Sequence, residues 1–108
     1  MATINEIWVV EPLEGKTRRE QKQRLAEWRD LQLAEGVKHV DIWEGGYGDF
    51  SGAWVFCMIH ESAEAFGKML DRYAVSPENF DNATEAWQKN PVLKFRSGGM
   101  VMLTEDLA

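Results

Sequence analysis

A chain of 108 residues with 44% hydrophobic content has room for one domain, residues 1–108, around one core, and no stretch approaches the roughly 20 apolar residues of a membrane-spanning helix. The formal net charge of -6 sets up a field that repels phosphate backbones and anionic bilayers, so neither nucleic acid nor membrane is expected as a partner. A lone cysteine, Cys57, and an N-terminus without the charged start and apolar run of a signal peptide predict a soluble protein in the reducing cytoplasm.

Ile4 to Glu11 alternates with β-branched residues and stops at Pro12, which has no N–H to give a ladder, so a first strand is predicted there. Thr17 followed by Glu20 fits a capping box. Leu25, Trp28 and Leu31 share one helical face and Gly36 supplies a left-handed stop, which predicts a helix from Arg18 to Glu35. Val37 to Glu44 alternates again, Gly45-Gly46-Tyr47-Gly48-Asp49 reads as a flexible turn, and FSGAWVFCMIH from Phe50 to His60 returns as the second arm of a hairpin. Ser62 is placed to cap a second helix with the face Phe66, Met69, Leu70 and Tyr73. Ser76-Pro77 offers the cap and first-turn proline of a third, lined by Phe80, Ala83 and Trp87 and closed by Asn90-Pro91. Phe95 to Thr104 is a last extended segment, broken by Gly98-Gly99. The order β-α-β-β-α-β, with its second helical region split in two, predicts an α+β, ferredoxin-like domain whose four-stranded antiparallel sheet lies under helices.

Such a sheet ordinarily has one apolar face and one polar face. Here both faces of FSGAWVFCMIH are apolar. Taking the aliphatic parity as the helix-facing one assigns Ile7, Val9, Val40, Ile42, Ala53, Val55, Cys57, Ile59, Val101 and Leu103 to the interior. The opposite parity then collects Glu6, Trp8 and Val10, His39, Asp41 and Trp43, Trp54, Phe56, Met58 and His60, and Met100 and Met102. An exposed face carrying three of the five Trp residues predicts a partner, and the simplest is a second copy. Two sheets meeting through that face would enclose a barrel whose Trp, Met, His and sparse carboxylates suit a small hydrophobic or aromatic ligand.

With that element order and the segment GGYGDFSGAWVFCMIHESAEAFGKMLDRYAVSPENF, the chain resembles the dimeric α/β-barrel superfamily, which includes antibiotic-biosynthesis-type monooxygenases, haem-degrading monooxygenases, NIPSNAP-like proteins and small polyketide cyclases. Its glycine-rich turn, Ser-Gly strand start, Ser-Ala-Glu-Ala-Phe helix entry and Ser-Pro-Glu second entry look like habits of that superfamily. The resemblance implies a dimeric α/β barrel and allows chemistries from cofactor-free oxygenation to isomerisation.

Several residues suit such chemistry, and each also has a structural role open to it. His39 and Asp41 are two apart on one strand, where a carboxylate fixes a histidine for general base work, and the hairpin brings His60 opposite or diagonal to His39 if Trp43 and Trp54 lie level. The alternative is a solvated strand end. The same three residues would form a two-histidine, one-carboxylate metal set only if they converge, and either histidine would have to serve as an axial ligand for haem. No metal or haem motif is present, and no cofactor is expected. Trp43, Trp54, Phe56 and Met58, with Trp8, would stack a flat aromatic or polyketide-like ligand or else fill the dimer interface. Tyr47 would sit at the tip of a mobile lip. The run Lys16, Arg18, Arg19, Lys22 and Arg24 reads as a solvated helix face, although Arg18 and Arg19 oppose the helix dipole. Cys57 reads as inert core. The expected function is a small-molecule enzyme resembling a cofactor-independent monooxygenase, cyclase or isomerase, with a non-enzymatic binding or assembly module as the alternative.

Overall fold

The computed structural model describes residues 3–75, 85 and 88–102. It runs β1 (Ile4–Pro12), α1 (Arg18–Ala34), β2 (His39–Glu44), a single turn of 3-10 helix at Gly48–Phe50, β3 (Trp54–His60), α2 (Ala63–Val75) and β4 (Leu93–Met102). The third helix expected from Ser76 lies largely outside the described residues, of which Glu85, Gln88 and Lys89 are helical. No described helix is long and apolar enough to cross a membrane.

Local chemistry sets the element ends. Thr17 Oγ1 accepts from the Glu20 N–H, and Glu20 Oε1 accepts from the Thr17 N–H, both at 3.1 Å, closing the capping box. The Thr17 N–H and the Thr17 hydroxyl, both donating to Glu20 Oε1, hold the Glu20 carboxyl below its ordinary range. Gly36, at φ +104°, turns the chain out of α1. Ser62 Oγ accepts from the Ala65 N–H at 3.1 Å to start α2. Arg18, which opposes the α1 dipole, has its anion in Glu44 of β2, at 2.5 Å and 3.2 Å, and its guanidinium lies 5.7 Å over the Trp54 ring. The pairing raises the Arg18 guanidinium and lowers the Glu44 carboxyl from their usual values. Arg24 departs from the solvated face expected of it: it is buried, donating to the Asn90 carbonyl at 2.9 Å and pairing with Glu27 at 3.2 Å.

The four strands form one antiparallel sheet in the order β2-β3-β1-β4, an arrangement compatible with a ferredoxin-like fold. On β1 and β3 its faces reverse the assignment made from the aliphatic parity, whereas β2 keeps it, with Val40 and Ile42 paired to Met58 and Phe56 on the helix-facing side. Trp54, Phe56, Met58 and His60 are all buried. The first three join Val10, Leu25 of α1, Val40, Met69 of α2 and Leu93 in one core, with Trp8, Trp28, Ile42 and Phe66 packed against it. Val55, Cys57 and Ile59 are only half-buried and lie on the face without helices. Two things account for the reversal. Filling the space between sheet and helices takes large side chains, and a Trp or Phe removes more apolar area from water there than a Val does. The pairing is also one residue away from level tryptophans: Trp43 sits opposite Val55 and Glu44 opposite Trp54. A one-residue change of register moves every side chain to the other face.

β4 also differs from its expected form. It runs unbroken through Gly98-Gly99, and its irregularity lies between Val9 and Val10 of β1, opposite Ser97 and Phe95. Gly98 instead makes room for Trp8: it is the residue paired with Trp8, and a Cβ there would collide with the indole six-membered ring. Trp8 also meets Phe95 edge-on with ring centroids 5.2 Å apart. Gly98→Ala is therefore expected to cost about 1–3 kcal/mol, measured by urea unfolding.

Candidate functional site: a buried histidine–carboxylate pair

β3 ends at His60 on the helix-facing parity, and β1 places Ile4 opposite it and Glu6 opposite Met58. Glu6 is thus the diagonal neighbour of His60 on the same face, within reach of a long side chain. His60 Nε2 lies 3.0 Å from Glu6 Oε1, with the side chains 2% and 13% exposed. The other carboxylate oxygen, Oε2, accepts from Trp8 Nε1 at 2.7 Å. An ionised carboxylate only accepts hydrogen bonds, so this contact places a proton on His60 Nε2 and leaves Nδ1 of a neutral ring as the basic nitrogen. Phe66 of α2 packs edge-on against the imidazole with centroids 4.8 Å apart, fixing its plane. Removing a carboxylate from water is costly unless both oxygens find donors, and Trp8 and His60 supply them.

His60 forms part of the wall of a cavity of about 450 Å³. Gly36 and Val37, at the end of α1, form one side, and Ala65 and Met69 of α2 form the other. Glu35, Lys68 and Asp71 also line it among the described residues. The segment entering β2 is pinned by Val37 N–H to Gln32 O at 3.1 Å and Lys38 N–H to Ile59 O at 3.0 Å, which sets that wall against the strand carrying His60. A volume of this order accommodates a small organic molecule.

The residues singled out from the sequence separate into three places. His60, Trp8, Trp54, Phe56 and Met58 lie under the helices. Trp54 is tied by its Nε1 to Gln21 Oε1 at 2.9 Å and borders a cleft of about 310 Å³ with Arg18, Gln21 and Glu44, and Phe56 meets Trp28 at 6.4 Å between centroids. Trp8, Val10, Leu25, Trp28, Phe56 and Phe95 close on one another around a cleft too narrow for a water molecule. His39, Asp41 and Trp43 lie on the open face, where His39 Nε2 and Asp41 Oδ1 are 2.8 Å apart and Trp43 is 61% exposed. Tyr47 is 94% exposed. His39 pairs with Ile59, so the two histidines are on opposite faces and do not converge. Among the described residues, no three His, Cys, Asp or Glu side chains are grouped to hold a metal ion. Burial, with the Asp41 carboxylate across the strand pair, pushes the Cys57 thiol up and away from nucleophilic character.

Glu6 is the member of this pair to which sequence reasoning gave no role. Its signal is visible in retrospect: Glu6, Trp8 and Val10 alternate on one face of β1, and a carboxylate in a core-facing row requires a buried donor. Which donor it meets follows only from the pairing of β1 with β3. No protein-family model matches this chain, and no curated protein matches it in sequence.

Proposed function

We propose that this protein is an enzyme that removes a proton from a small, largely apolar substrate, working as a cofactor-independent monooxygenase or a related cyclase or isomerase on an aromatic or polyketide-like compound. The observation that carries the reading is the His60–Glu6 pair at the wall of the cavity. In this reading His60 Nδ1 takes the proton from an acidic C–H or phenolic O–H. The imidazolium that forms is stabilised by Glu6, itself held by Trp8. The substrate anion then reacts with oxygen or is reprotonated at another position. Resemblance to the dimeric α/β-barrel superfamily supports the same reading by analogy.

The test is solvent-deuterium exchange, followed by NMR under anaerobic conditions, across a panel of phenols and 1,3-dicarbonyl compounds. Proton abstraction is common to all three reaction types, so catalysed exchange supports the proposal and its absence across the panel overturns it. The rival, a non-enzymatic binding or assembly module, is favoured by the self-filled aromatic cluster around Trp28 and Phe56, and it predicts no exchange.

The protein is further proposed to act as a homodimer through the open face of the sheet, closing a barrel. Ile7, Val55, Cys57 and Ile59 leave that face half-exposed and apolar, with Trp43 standing out of it. Val55→Lys is expected to convert a dimer into a folded monomer in sedimentation experiments. A wild-type monomer at micromolar concentration would refute the dimer.

A further inference from the structure

The open face of the sheet has two unlike edges. At the same three levels, counted through β3 and β1, the β2 edge presents Trp43, Asp41 and His39, and the β4 edge presents Ser97, Gly99 and Val101. One edge is tall and the other low. Trp43 stands out from its edge, 61% exposed. Gly98 is required by Trp8, but Gly99 has no such reason among the described residues: its φ is not positive, and a Cβ there would meet nothing within 4 Å. Inside a strand a glycine forfeits packing and backbone entropy, and it marks a place where another group comes close. The edges differ in charge as well. On β4, the two cations Lys94 and Arg96 share the one carboxylate of Glu11, at 3.7 Å and 3.5 Å, which leaves one positive charge in excess. On β2, Asp41 has His39 at 2.8 Å, and a neutral imidazole leaves the negative charge of Asp41 in place.

We infer that the second copy lies with its β4 over β2 of the first, about a two-fold axis parallel to the strands, so that Trp43 of each copy rests on Ser97 and Gly99 of the other. This rests on the homodimer proposed above and adds its orientation. A tryptophan set on a glycine fills a space that a second low edge would leave empty, and Asp41 comes to lie against the edge with the excess positive charge. The other two-fold that joins these faces has its axis across the strands at the level of Asp41 and Gly99, and it sets β2 on β2. That arrangement stacks Asp41 on Asp41 and Gly99 on Gly99, opposing like charges at one edge and leaving a void at the other.

A double-mutant cycle on the full chain, read by sedimentation equilibrium, tests the contact. Gly99→Val should leave the monomer folded, since valine suits an edge strand better than glycine, yet weaken the dimer about tenfold or more. Trp43→Ala should weaken it by a similar factor. With both changes the loss should be close to that of either alone, because the two residues lie on each other. Orientation is read separately in a Cys57→Ser background, with a bismaleimide of about 10 Å reach to match the spacing of packed sheets. His39→Cys protein mixed with Val101→Cys protein should cross-link, and Asp41→Cys protein should not cross-link to itself. Self-cross-linking of Asp41→Cys, a Gly99→Val dimer as tight as wild type, or additive losses in the cycle would each overturn the orientation and leave the homodimer standing. A wild-type monomer at micromolar concentration would instead remove the homodimer, and the orientation with it.

Discussion

His60→Gln is expected to lower catalysed proton exchange by on the order of 10²–10⁴-fold while leaving a folded protein. Glutamine is close to histidine in length and still offers a donor to Glu6, so the buried carboxylate keeps a partner and the core is spared an orphaned charge. What it lacks is a basic ring nitrogen. Glu6→Gln tests the supporting half of the pair. A neutral amide can donate to His60 Nε2, which would push the ring proton to Nδ1 and remove the basic site, so exchange should fall by on the order of 10²-fold or more. Because Glu6 touches His60 and Trp8, it is a positioning residue, and kcat should fall with KM little changed. A Glu6→Gln protein that loses stability but keeps its exchange rate per folded molecule would reduce the pair to a structural contact.

The second large effect concerns stability. Phe56 is among the largest fully buried side chains, at 2% exposure, and packs edge-on to Trp28 of α1. Phe56→Ala removes an aromatic ring from between sheet and helices and is expected to destabilise the domain by about 3–5 kcal/mol. That is a large share of the roughly 5–15 kcal/mol by which such a domain is stable. The neighbouring substitution Val55→Ala, on the open face, should cost a small fraction of this in urea unfolding. The two residues are adjacent in sequence and similar in their preference for strands, so the comparison reads the difference in face together with the larger side chain removed at position 56. If Val55→Ala costs as much as Phe56→Ala in a protein that sediments as a monomer, the face assignment is wrong.

Much of the fold was legible because its signals are local. The Thr17–Glu20 box, the Gly36 stop and the Ser62 cap each act within one turn of chain, and all three stand where the sequence placed them. The antiparallel order of four strands follows from hairpin and crossover lengths. The site was legible in part. His39 and Asp41 pair as their spacing suggested, whereas the partner of His60 lies 54 residues away and belongs to a strand that only the pairing of β1 with β3 brings near.

By itself, then, the sequence determined that this chain forms strands and helices in a β-α-β-β-α-β order and that β3 has two apolar faces. The tertiary structure decided which face the helices cover. Alternation with period two marks two faces as different without saying which one is inside, because that depends on the register of neighbouring strands and on the bulk needed to fill the gap beneath the helices. Trp43 opposite Val55, and not Trp54, is the detail that sends His60 inward to Glu6 and leaves His39 outside.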